Sequence, residues 1–154
     1  MSRINESWYT STTDEWATPQ ALFEELDSEF HFVLDACATE QNAKVCNYYD
    51  KQTDGLKQSW NLGGAVWCNP PYGKHISEWI EKAYNENKQG VTVVLLLPAR
   101  TDTKYFHKYI YNQHEIRFIK GRLKYNDGNG TAPFPSMIVV MRGDKHERFT
   151  NNTR

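Results

Sequence analysis

Apolar residues change their spacing along the chain in a way that separates helices from strands. Ala21, Leu22, Leu26 and Phe30 recur at helical intervals. Ahead of them stand Thr18, a candidate N-cap, and Pro19, whose fixed φ suits a first helical position, so a helix is expected over 19–29. Phe32, Val33 and Leu34 then run into the small-residue turn Asp35-Ala36-Cys37-Ala38, which reads as a short buried strand and its exit. Residues 46–49 suggest a second short strand. A third covers 65–68 and stops at Asn69-Pro70-Pro71, since neither proline can donate to a sheet ladder. Ile76, Trp79, Ile80 and Ala83 form a helical stripe, which predicts a helix over 75–88 closing near Gly90. The run 91–97, interrupted only by Thr92, is the central buried strand. Phe106, Tyr109 and Ile110 mark the apolar side of a helix expected over 101–112. Late strands are expected at 115–119, 123–125 and 137–141, with the loop 126–130 favouring positive φ between two of them.

Strand, crossover helix and strand in succession, followed by a group of strands, indicate an α/β fold. The expected architecture is a mostly parallel sheet flanked by helices and finished by a C-terminal antiparallel hairpin. The 154 residues suit one domain. Residues 1–13, polar and rich in Ser and Thr, read as a flexible arm, 14–143 as the domain, and 144–154 as a polar tail. No apolar run approaches the ~20 residues of a membrane span, and the opening residues lack the apolar core of a secretory signal. A cytoplasmic location is expected. Cys37, Cys46 and Cys68 form an odd set without a C-x-x-C pair, which argues against a disulfide framework or zinc ribbon. The net charge of -1 conceals an asymmetry. Residues 1–60 carry four basic and eleven acidic side chains, net -7, whereas 100–124 carry seven basic and two acidic, net +5. Such a one-sided basic zone attracts phosphates even in a neutral chain; the alternative is an ordinary solvated face.

The chemistry concentrates at Asn69-Pro70-Pro71-Tyr72, directly after the strand at 65–68. Ligands of open α/β sheets bind beyond the carboxyl ends of the strands, so this tetrapeptide stands where a site belongs. The prolines hold the backbone extended with carbonyls available as acceptors, and Asn69 adds a side-chain carbonyl. Two rigid acceptors suit an amino group that must expose its lone pair. Tyr72 offers an aromatic face to a planar base. An edge turn with a packed tyrosine is the bland alternative.

These residues, with others in order, resemble the phage-type DNA adenine N6-methyltransferases, a small S-adenosylmethionine-dependent family. The matching stretches are residues 14–19, 34–39, 54–56 with Trp60, 69–73, 97–103, 121–123 and 132–136, so the likeness spans nearly all of 14–143. The resemblance implies a single Rossmann-like methyltransferase domain that transfers methyl groups from S-adenosylmethionine to N6 of adenine in double-stranded DNA. It places Asn69, Pro70, Pro71 and Tyr72 at the reacting amine. Trp16, Thr18 and Pro19 would line the methionine end of the cofactor, and Asp35, beside small Ala36 and Cys37, would meet its ammonium. Asp54 would accept from the cofactor's adenine amine, with Leu56 against the ring. The expected mechanism flips the adenine out of the duplex and transfers the methyl directly, without a covalent enzyme intermediate. One departure stands out: the turn after the first strand reads Ala38-Thr39-Glu40-Gln41-Asn42 instead of the glycine-rich G-x-G of most methyltransferases. Asp50 is a weak candidate for the acidic group that holds the ribose.

Lys74, Arg100, Arg122 and Lys124 are candidates for DNA contacts, against solvated surface charge. The histidines show no metal-ligand spacing, and no metal is assigned. Serine-elbow, phosphate-loop and H-E-x-x-H signatures are absent from the sequence. The same acceptor pair could serve RNA adenine, cytosine N4 or a protein glutamine, and a non-catalytic nucleic-acid-binding module is the reading from another class. A monomer or homodimer fits either.

Overall fold

A computed structural model describes residues 16–128 and 130–143; the expected arm and tail lie outside the described residues. Helix α1 (Gln20–Phe30) leads into strand β1 (Phe32–Asp35). Strand β2 (Ala65–Cys68), helix α2 (Ile76–Lys88) and strand β3 (Val93–Pro98) form the crossover unit. Strands β4 (Glu115–Phe118) and β5 (Ser136–Met141) complete one five-stranded sheet of order β1-β2-β3-β5-β4. Every residue of β2, β3 and β5 is buried, as expected where both faces of a sheet are covered. On the α1 side, Phe23 meets Trp67 at 5.6 Å between ring centroids and Phe32 at 5.6 Å. Trp79, Ile80 and Ala83 of α2, all at 0% exposure, form the inward stripe that their spacing predicts.

The sheet is mixed. β1–β2 and β2–β3 pair in parallel, while β5 runs antiparallel to both β3 and β4. The expected hairpin is therefore not an appendage: β5 inserts between β3 and β4, with Val94 opposite Val140 and Leu96 opposite Ile138. Its uninterrupted apolar run belongs in the interior, and the half-exposed Glu115–Phe118 takes the edge.

Four local expectations are corrected. Residues 46–49 form no strand, because β1 ends at Asp35 and only one bridge, Asp35 with Tyr48, remains to be made. The helix expected over 101–112 is short. The Thr103 hydroxyl accepts from the Phe106 N–H at 3.3 Å, and the chain closes through a π-turn (Phe106–Ile110) in which the Tyr111 N–H donates to the Phe106 carbonyl at 2.8 Å. Residues 123–125 form no strand either. Tyr125–Asp127 is a tight 3-10 turn with Asn126 and Asp127 at φ 64 and 46, an excursion that Asn and Asp tolerate. Nor does Thr18 cap α1. Pro19 holds the N-cap position, and the Asp127 carboxylate, from more than a hundred residues away, accepts from the Gln20 N–H at 3.3 Å. A carboxylate there satisfies an otherwise orphaned donor and complements the helix dipole.

Candidate functional site

The carboxyl ends of β1, β2 and β3 lie at one edge of the sheet because the three strands run parallel. Asp35 ends β1, Asn69 follows β2, and Ala99 and Arg100 follow β3. Two clefts open there among the described residues.

The first is lined by Trp16, Thr18, Asp35, Cys37, Asn69, Pro70 and Pro71, together with Ala17, Ala38, Thr39, Asn42, Lys44 and Trp67. Asp35 is 2% exposed. Its carboxylate accepts from the Lys44 N–H at 3.0 Å and, longer, from the Cys37 N–H at 3.4 Å. Burial pushes its pKa up to about 7, against the opposing pull of those N–H groups and of the Lys44 charge. The carboxyl thus titrates near neutrality. Burial, with Asp35 nearby, also pushes the Cys68 thiol well above its ordinary value, which keeps it protonated and unreactive.

Asn69 is oriented by its amide nitrogen, which donates to the Trp16 carbonyl at 2.6 Å and the Thr18 hydroxyl at 3.0 Å. A main-chain carbonyl can only accept, so the nitrogen must face Trp16 and the amide oxygen must face away. That oxygen is buried and accepts no hydrogen bond among the described residues. Buried polar atoms are paired in the great majority of cases, so an orphaned acceptor here marks a place for an incoming donor.

The second cleft adjoins the first through Trp16 and is walled by Tyr72, Phe134, Tyr105, Arg100 and Pro133. Tyr72, 5% exposed, is fixed by its hydroxyl, which donates to the Leu96 carbonyl at 3.0 Å and lies 3.2 Å from the Tyr125 hydroxyl. Tyr125 in turn sits 2.9 Å from the Ser136 hydroxyl. Burial raises the pKa of both phenols. Phe134 meets Tyr72 edge-on at 5.6 Å and Trp16 at 5.2 Å, so apolar ring surface joins the two clefts.

The other predicted residues fall further out. Asp54 is buried at φ 58 and caps a 3-10 turn (Gly55–Lys57) by accepting from the Leu56 N–H at 3.2 Å. Gly55 is obligatory there, since a Cβ would collide with the Ala36 carbonyl and the Trp79 ring. Asp54 and the half-buried Leu56 are thereby held near the Asp35–Cys37 turn without lining either cleft, and Ala36 and Pro19 line neither cleft. Asp50 accepts from the Gln52 and Thr53 N–H groups within its own turn, which lowers its pKa. Lys74, Arg100, Arg122 and Lys124 are exposed. Arg100 stands over the Phe134 ring at 5.8 Å, on the second cleft. Lys44, Trp67, Tyr105 and Phe134 escaped the sequence reading. Phe134 alone left a signal, its place in the matched stretch 132–136. No cluster of three metal-ligating side chains occurs among the described residues, and no described helix is long and apolar enough to cross a membrane.

Comparison of the sequence with known proteins identifies relatives. The chain is 34% identical over 122 residues to a DNA N-6-adenine-methyltransferase of Escherichia phage T1, covering 77% of this chain and 50% of that protein. It is 34% identical over 111 residues to a DNA N-6-adenine-methyltransferase of Haemophilus phage HP1, covering 71% of this chain and 64% of the relative. The chain thus spans about half the length of the first relative and under two thirds of the second. The family model described as DNA N-6-adenine-methyltransferase (Dam) matches residues 6–153. With that match extending over nearly the whole sequence, the chain belongs to the Dam family of DNA N-6-adenine-methyltransferases.

Proposed function

We propose that this chain transfers a methyl group from S-adenosylmethionine to the N6 amino group of adenine in double-stranded DNA, on a base flipped from the duplex and by direct in-line transfer. The observation that carries this reading is the orphaned, buried Asn69 Oδ1. Leaving a buried acceptor unpaired costs roughly 1–3 kcal/mol, and a substrate N–H removes that cost. The N6 amine has two hydrogens, which suit Asn69 Oδ1 and the Pro70 carbonyl. Held by these acceptors, the nitrogen loses conjugation with the ring and its lone pair becomes available. Catalysis is then alignment and acceptor placement, with no covalent enzyme adduct. The protonated Cys68 is consistent with that. An adenine in the stack cannot reach a recessed acceptor, hence the flipping; Tyr72 and Phe134 supply apolar walls for the extruded ring.

The first cleft fits the amino-acid end of S-adenosylmethionine, which supplies an electrophilic methyl group when bound. Asp35 complements its ammonium and Lys44 its carboxylate. Trp16, Thr18 and Cys37 wall that end, Pro19 and Ala36 support it from outside the cleft lining, and Asp54 with Leu56, beside the cleft, takes the adenine end. Exposed Lys74, Arg100, Arg122 and Lys124 meet the DNA backbone.

The test is transfer of labelled methyl from S-adenosylmethionine to unmethylated duplex DNA, followed by nucleoside analysis, with Asn69→Ala in parallel. N6-methyladenine is expected from the parent, reduced about 10²–10³-fold in the variant. Retained cofactor binding without a DNA product redirects the reading to RNA or protein amides. Absence of both product and cofactor binding refutes the enzyme and leaves a nucleic-acid-binding module.

A further inference from the structure

Asn69 owes its orientation to Trp16 and Thr18, and the segment bearing those two residues is itself held from elsewhere. The Ala17 N–H donates to Asn126 Oδ1 at 2.8 Å, and the Asn126 N–H donates to the Ala17 carbonyl at 2.7 Å. This reciprocal pair joins residues 109 positions apart in sequence. The next residue, Asp127, accepts from the Gln20 N–H, and the preceding Tyr125 packs its ring 5.6 Å from that of Trp16. Asn126 stands at φ 64, where its amide reaches Ala17.

We infer that Asn126 is a positioning residue for the methyl-transfer site: by clasping Ala17 it holds the Trp16 carbonyl and the Thr18 hydroxyl where they lock the Asn69 amide with its oxygen toward the substrate amine. The inference rests on the function proposed above. The chain of contacts is short and each link is directional. Asn126 fixes Ala17 through both its N–H and its carbonyl, the Trp16 carbonyl in the same peptide plane as that N–H accepts from Asn69 at 2.6 Å, and the Asn69 oxygen is left as the acceptor. Without the clasp, residues 16–18 lose the two hydrogen bonds that tie Ala17 to the turn at Asn126. The amide then gains rotational freedom, and its oxygen can turn toward other donors. Tyr125, in the same turn, reaches the Tyr72 hydroxyl, so a single tight turn braces both the acceptor and the ring wall.

The informative substitution is Asn126→Gly. It removes the Oδ1 acceptor while keeping the main-chain bond and the left-handed conformation, which glycine adopts without strain. Asn126→Asp retains an acceptor oxygen and serves as the conservative rescue. Single-turnover methyl transfer is expected to slow at least tenfold in Asn126→Gly, with KM for DNA within about twofold of the parent, and to recover most of that rate in Asn126→Asp. In an Asn69→Ala background the Asn126→Gly change is expected to cost no further rate, because its effect passes through the amide already removed. An activity-independent readout is the side-chain amide resonance pair of Asn69. Its protons are expected to exchange slowly in the parent and faster in Asn126→Gly, at unchanged melting temperature. Parental rates in Asn126→Gly, an undiminished penalty in the Asn69→Ala background, or unaltered amide exchange overturns the assignment. If the parent transfers no methyl but Asn69 exchange still responds to Asn126→Gly, the proposed reaction fails and the clasp stands.

Discussion

Under the proposed function, Asp35 is expected to make the binding of S-adenosylhomocysteine, the unreactive product that keeps the cofactor's ammonium, depend on pH in a defined direction. Its carboxyl titrates at about 7 because burial disfavours the charge more than the Lys44 and Cys37 N–H groups favour it. With that value, about 3% of the carboxyl is ionised at about pH 5.5 and half at pH 7. An ammonium ligand selects the ionised form, and it stays charged throughout this range because an α-amino group titrates near 7.7–8.0. The Kd is therefore expected to weaken about 16-fold from about pH 7 to about pH 5.5, with proton release on binding near neutrality. Titration calorimetry in buffers of different ionisation enthalpy measures both quantities. Asp35→Asn keeps an acceptor for the Lys44 N–H, so the turn survives, while the pH dependence flattens at a weak Kd. Folding stability has the opposite sign. The folded chain retains a proton that the unfolded chain loses above about pH 4, so stability falls as pH rises from about 4 to 7. Asp35→Asn is expected to lessen that fall. A parental Kd that is flat over this range, or an equal slope in Asp35→Asn, refutes the role given to this carboxyl.

Two further outcomes are expected. Gly55→Ala drives a methyl group into the Ala36 carbonyl and the Trp79 ring, and should cost ~1–3 kcal/mol in urea unfolding at constant m-value; an unchanged midpoint would mean that the turn yields freely. Arg122→Ala and Lys124→Ala should each weaken duplex binding uniformly across sequences and flatten the log K against log salt slope by about 0.9 per lost phosphate contact. Anisotropy titrations that return the parental slope would remove these residues from the DNA interface.

Much of the sheet was legible in the sequence because buried strands and amphipathic helices declare themselves locally. The run 91–97 is too apolar for any place but the interior, and β3 is 0% exposed from Val93 to Leu97. The Ile76–Trp79–Ile80–Ala83 stripe has only one face that can be buried, and α2 buries it. Asn69-Pro70-Pro71 ends β2 because proline cannot donate, which also sets the candidate acceptors at the carboxyl edge of the sheet. Where β5 would pair was a different matter. An apolar strand fits the interior of a sheet beside any neighbour, and only the packed structure inserts it between β3 and β4.

The fine structure of the site was decided wholly in three dimensions. Nothing local to Asn126 indicates Ala17, nothing at Gln20 indicates Asp127, and Tyr125 read as part of a strand although its hydroxyl belongs to a buried chain with Tyr72 and Ser136. Thr18 shows the reason clearly. By local rules it is a helix cap, yet its hydroxyl accepts from Asn69, 51 positions away, and the helix takes its carboxylate from the far end of the chain. Sequence patterns record what a residue requires of its immediate neighbours: a period, a missing donor, a tolerated φ. Which distant donor meets which acceptor depends on how the strands are ordered and how the connections fold back over their carboxyl ends, and that ordering exists only in the assembled tertiary structure.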